Sequence, residues 1–109
     1  MTATACDVLV VGGGLIGSAA ALGLANLGRR VVVVERAAPT LAAGEFGLDI
    51  RNVTLAPAWD TPFPDKSFDV VTMWDVIEHI NAGDDERACR EIARLCRRVA
   101  FIAPTTSGA

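Results

Sequence analysis

The chain has no tyrosine, one histidine and three cysteines, and each scarcity closes off a class of chemistry. His79, with Cys6, Cys89 and Cys96 at no CxxC spacing, gives too few ligands for a Cys/His metal centre. An odd cysteine count without framework spacing argues against a disulfide scaffold, so the thiols are expected to be reduced and packed in the core. Lys and Arg form no cluster, and the net charge is -3 with both signs interspersed, so neither a nucleic-acid partner nor a membrane surface is expected. No apolar run is long enough to span a bilayer, and no basic segment precedes the first one. Neither a transmembrane helix nor a secretory signal is therefore expected, and the expected location is cytoplasmic.

What remains is 109 residues, 51 % hydrophobic and 21 % charged, a profile that suits one soluble domain, 1–109, and is too short for two. Val8 to Val11 and Val31 to Val34 are continuous aliphatic runs, as in strands covered on both faces of a parallel sheet. Between them "LIGSAAALGLANLG" supplies a crossover helix ending at Gly28. The segment "AAPTLAAGEFGLDI" has room for a turn of helix at best, and "RNVTLA" alternates like an edge strand. "PAWDTPFPDKS" is an irregular Pro-rich connection, "FDVVTMW" a fourth strand and "VAFIAP" a fifth. Between the last two, "DDERACREIARLCRR" places Ala88, Ile92, Leu95 and Val99 on one stripe, with Cys89 and Cys96 beside it. Arg87, Arg90, Glu91, Arg94 and Arg98 would then face water, and the acidic start and basic end suit the helix dipole. The fold expected is α/β: a small Rossmann-like doubly wound parallel sheet of about five strands, order 3-2-1-4-5, with helices on both faces.

Gly12, Gly14 and Gly17 form G-x-G-x-x-G directly after a strand and at the start of a helix. The first glycine permits the tight turn, the second lets a pyrophosphate approach the backbone, and the third lets helix and strand pack closely. Glu35 ends the second strand eighteen residues past Gly17. A carboxylate there accepts hydrogen bonds from an adenosine ribose and repels a 2′-phosphate, which disfavours NADP. Candidate cofactor-binding residues are Gly12, Gly14, Leu15, Ile16, Gly17, Glu35, Arg36 and Asp75, the last at the end of the fourth strand. His79 is the one candidate base. Its neighbour Glu78 does not face it on a regular element, so packing or capping outweighs catalysis for the pair. Trp59, Phe63 and Trp74 could floor an adenine, although core positions are the commoner use of such aromatics.

"VVGGGLIGSAAALGLANLGRRVVVVER" resembles the ADP-binding segment of FAD-dependent oxidoreductases over about residues 6–38. That resemblance implies that Gly12, Gly14 and Gly17 face the pyrophosphate and that Glu35 holds the ribose. From about Asp49 to Pro104 the chain resembles class I S-adenosylmethionine-dependent methyltransferases, through "TPFPDKSFDVVTMWDVIEHI" and "REIARLCRRVAFIAPT". In that family Glu35 would again take the ribose, while Val10, Ile16 and Pro57 stand where its members carry an acid, a glycine and an acid. The change near residue 40, between a FAD-type β-α-β unit (1–38) and a methyltransferase-like half (39–109), points to a chimera by design or gene fusion.

The function expected is a module that binds the ADP moiety of FAD without a complete catalytic site. The alternative is a minimal or truncated methyltransferase using S-adenosylmethionine. An exposed fifth strand would also leave a route to a homodimer.

Overall fold

Four consecutive aliphatic residues make the centre of the sheet. In the computed structural model, which describes residues 7–12, 14–36, 53–74 and 76–104, Asp7–Val11 forms β1 with Val8, Leu9, Val10 and Val11 all buried. Side chains alternate across a strand, so Val8 and Val10 face one side and Leu9 and Val11 the other. Helix α1 (Leu15–Asn26) covers the first side through Ala21 and Leu24, and helix α2 (Asp84–Leu95) covers the second through Ala88, Ile92 and Leu95. Burial on both faces is why β1 and β2 (Arg30–Glu35) read as unbroken apolar runs.

The remaining strands are β3 (Val53–Leu55), β4 (Phe68–Trp74) and β5 (Cys96–Ala103). The sheet runs β3-β2-β1-β4-β5, every neighbouring pair parallel, in register Val8 with Val31 and Val70, and Val33 with Val53. This is the doubly wound order expected from the sequence. The switch of winding between β1 and β4 opens a crevice at their carboxyl ends.

Helix α1 ends in a Schellman turn. Gly28 takes φ +81°, its N–H donates to the Ala25 carbonyl (2.9 Å), and the Arg29 N–H donates to Leu24 (3.1 Å). Helix α2 begins with Asp84, Asp85 and Glu86, and Asp85 Oδ1 accepts from the N–H groups of Gly83 (3.0 Å) and Glu86 (2.8 Å). No helix among the described residues is long and apolar enough to cross a membrane. The segment 37–52 lies outside the described residues, together with the turn of helix expected there.

The helix expected through Arg98 stops at Leu95, and β5 starts at Cys96, three residues before the expected "VAFIAP". Pairing explains the change. Cys96 lies opposite Phe68, and in the extended conformation Arg97 reaches the Asp69 carboxylate (3.0 Å), which also accepts the Asp7 N–H (3.2 Å). Asp7 in turn holds Arg30 through both carboxylate oxygens (2.6 and 2.8 Å), so charge joins the amino ends of β1, β2, β4 and β5. These contacts, first the Asp7 N–H and then Arg97 and Arg98, hold the Asp69 carboxyl below its ordinary range against the effect of its burial. Val99 consequently leaves the helical stripe for an exposed strand, Cys89 is exposed rather than packed, and Cys96 is half-buried.

Strand β5 forms one edge of the described sheet and exposes Val99, Phe101 and Ile102. Exposed apolar edges pair readily with other chains. Phe101→Lys is therefore expected to lower any self-association, read as a smaller sedimentation coefficient at high protein concentration. In the core, Leu95→Ala should cost about 2–5 kcal/mol in urea unfolding. Leu27→Ala, at a side chain 74 % exposed, should change little.

Candidate functional site

The glycine turn shows three different uses of the same residue. Gly12 has φ +108°, and a Cβ there would stand 2.8 Å from both the Trp74 carbonyl oxygen and Val76 Cγ2. A Cβ on Gly17, inside α1, would stand 1.8 Å from the Gly12 carbonyl oxygen. Gly12 therefore lets the turn pass against the end of β4, and Gly17 lets α1 approach the turn. Gly14 is different, because a Cβ there would meet nothing within 4 Å. It caps α1 without a side-chain hydrogen bond, and the first turn carries no acid to neutralise the helix dipole.

That open side faces a cavity of about 330 Å³ at the carboxyl ends of β1, β2 and β4. Gly12, Gly14, Gly17, Glu35 and Arg36 all line it, so five of the eight candidate residues come together. Leu15 and Ile16 open α1 directly after Gly14, and Asp75 lies outside the described residues. Glu35 closes β2, and its Oε1 accepts the Arg36 N–H (3.0 Å). The Gly12 N–H donates to the Val34 carbonyl (2.9 Å), which fastens the turn to β2 below the carboxylate.

The aromatic residues divide. Phe63 packs edge-on against Phe68, ring centroids 5.0 Å apart, in the core. Trp59 and Trp74 line the cavity, and the Trp74 Nε1–H donates to Thr72 Oγ1 (2.9 Å), which fixes its ring. Beyond β4 the chain makes a 3-10 turn, Ile77–His79, and His79 reaches the rim with Ile80 and Asn81. The His79 side chain is 72 % exposed, and its Nε2 lies 3.7 Å from Glu78 Oε1. A packing role for the imidazole does not fit that exposure. Ala58, Val76 and Asn81 carried no signal of their own in the sequence. Their position just past the ends of β3 and β4 is what brings them to the site.

The wall bearing Ala58 and Trp59 belongs to the irregular connection after β3, and α2 fastens it. Glu91 and Arg94, expected to face water, point inward to this loop. Glu91 Oε2 accepts from the N–H (2.8 Å) and Oγ1 (2.6 Å) of Thr61, and Arg94 forks onto the same carboxylate (2.6 and 2.7 Å). Arg94 also donates to the Phe63 carbonyl (2.8 Å) and to Asp65 (2.9 Å). Charge-assisted contacts of this kind are the strong ones. Arg94 first and Thr61 second pull the Glu91 carboxyl from 4.5 down to about 2, against the opposing effect of its burial.

Residues 9–103 match the family described as Methyltransferase domain. No curated protein sequence matches the chain. Among solved structures, the PH0226 protein of Pyrococcus horikoshii aligns with TM-score 0.70 at 22 % identity, over 88 % of this chain and 46 % of that one. The YcgJ protein of Bacillus subtilis aligns with TM-score 0.63 at 30 % identity, over 84 % and 40 %. A SAM-dependent methyltransferase of Archaeoglobus fulgidus gives TM-score 0.69 at 17 % identity, over 91 % and 43 %. The chain spans less than half the length of each. One family match extends across residue 40, where the resemblance was expected to switch, and nothing in these likenesses supports FAD or a chimera. A glycine turn of this kind does not by itself distinguish one adenosine cofactor from another.

Gly17→Ala should lower stability by more than about 2 kcal/mol in chemical denaturation, while Gly14→Ala should be near neutral. Glu91 has its folded value depressed, so its contribution is complete above about 4.5 and is lost as pH falls toward about 2. The difference in unfolding free energy between wild type and Glu91→Gln, of order 2 kcal/mol at neutral pH, should therefore shrink through that window.

Proposed function

The chain belongs to the Methyltransferase domain family, and from that premise we propose that its carboxyl-edge cavity binds S-adenosylmethionine for methyl transfer. The observation that carries this reading is the convergence of Gly14, whose Cβ would meet only open space, with the Glu35 carboxylate on one cavity at the winding switch. A backbone without a side chain lets a ligand come close, and a carboxylate at the end of the second strand suits the vicinal hydroxyls of a ribose.

The donor set fits an adenosyl cofactor. Glu35 would accept from the ribose, and the unneutralised start of α1 would face the polar end of the ligand. Trp59 and Trp74 would give apolar walls that exclude water. Bound there, S-adenosylmethionine supplies an electrophilic methyl group on a sulfonium. The acceptor side is the rim at His79 and Asn81, where the exposed imidazole can take a proton from an incoming nucleophile. Methyl transfer by the whole protein belongs to the same proposal.

Calorimetric titration with S-adenosylmethionine, S-adenosylhomocysteine, FAD, NAD and ADP tests it. Micromolar binding of the first two and none of FAD is expected. Glu35→Gln should weaken binding about tenfold with little change in thermal midpoint. Gly14→Val should abolish it by filling the cavity. FAD binding tighter than that of S-adenosylmethionine would overturn the reading.

A further inference from the structure

The stretch Ala58–Trp59 forms a cavity wall without belonging to any helix or strand, so something outside it must hold it in place. It is tied at both ends. On one side the Ala56 N–H donates to the Glu35 carbonyl (3.0 Å), which continues the β2–β3 pairing. On the other, Thr61 gives both its N–H and its hydroxyl to Glu91. Beyond Thr61 the connection is sewn to α2 again, by Arg94 on the Phe63 carbonyl and by the Lys66 N–H on the Arg94 carbonyl (2.8 Å). Only Pro57 to Asp60 lies between the two ties, closed by a turn in which the Asp60 N–H donates to Pro57 (3.2 Å).

Neither Glu91 nor Arg94 lines the cavity. Their side chains are nevertheless only 11 % and 32 % exposed, whereas the other α2 arginines, Arg87 and Arg90, are 56 % and 72 % exposed and, among the described residues, pair along the helix. A carboxylate taken this far out of water needs all the hydrogen bonds it receives, and one of its oxygens receives two of them from the loop. We infer that Glu91 and Arg94 are positioning residues for the cofactor, fixing Trp59 against the cavity through Thr61 without touching the ligand. The inference rests on the S-adenosylmethionine reading above and extends it to a pair outside the site.

A merely structural role would make affinity follow overall stability, so the test needs a control that destabilises elsewhere. Val31→Ala, in the core under α1 and away from this loop, serves. S-adenosylhomocysteine affinity by calorimetry and acrylamide quenching of tryptophan fluorescence are measured for wild type, Val31→Ala, Glu91→Gln, Glu91→Ala and Arg94→Lys. Glu91→Ala is expected to weaken binding about tenfold and to increase quenching. Glu91→Gln and Arg94→Lys, which keep part of the hydrogen bonding, should fall between it and wild type, and Val31→Ala should bind as wild type does at a lower thermal midpoint. If Glu91→Ala does not fold, the two conservative variants decide. Wild-type affinity and quenching in them would overturn the inference while leaving the cofactor reading intact. Failure of wild type to bind the ligand would overturn the cofactor reading, and this inference with it.

Discussion

A Cβ on Gly17 would stand 1.8 Å from the Gly12 carbonyl oxygen, and that approach sets the height at which α1 meets the end of β1. Gly12 is fixed from two further directions. Its N–H is bonded to β2 at Val34, and its α-carbon faces the Trp74 carbonyl at the end of β4. One residue thus gathers three strand ends and a helix start, and only a residue without a side chain can occupy the point. The cavity is what this convergence leaves above it, and Gly14 is the part of the turn that borders its open space.

Among the described residues two helices cover opposite faces of the sheet, and α2 also fastens the Pro-rich connection. Its outer arginines, Arg87 and Arg90, make exposed pairs with Asp84 and Glu86 at helical spacing, the kind of contact worth less than about 1 kcal/mol. Glu91 and Arg94 have the same residue types at the same spacing, but on the face turned toward the Pro-rich connection. There they receive or donate bonds to loop groups about 30 positions away in sequence. Chemistry does not distinguish the two sets, but the direction they face does.

That distinction marks how far the sequence is legible. The aliphatic runs, the glycine spacing and the carboxylate at Glu35 encode strand order and the place of the cavity, because each is a local requirement written in adjacent residues. The role of Glu91 is written only in its distance from Thr61, which no helical period reveals. The boundary at Cys96 is hidden for a similar reason: the helical pattern continues through Val99, and the competing instruction comes from Phe68 and Asp69 on another strand. A glycine turn followed by an acid is a pattern shared by proteins that bind different adenosine cofactors, so the sequence alone does not choose among them.

The cavity is held unequally on its two sides. The Trp59 side is fastened to β2 by the Ala56 N–H and to α2 by a half-buried carboxylate with four hydrogen bonds. On the His79 side, a 3-10 turn with no fully buried residue is closed by the bonds from His79 to Val76 (2.9 Å) and from Ile80 to Ile77 (3.4 Å). Local opening is cheaper where backbone bonds are short-range and exposed than where several charge-assisted bonds must break together. The fold therefore anchors one wall of the cavity to α2 and leaves the opposite rim to a single turn after β4.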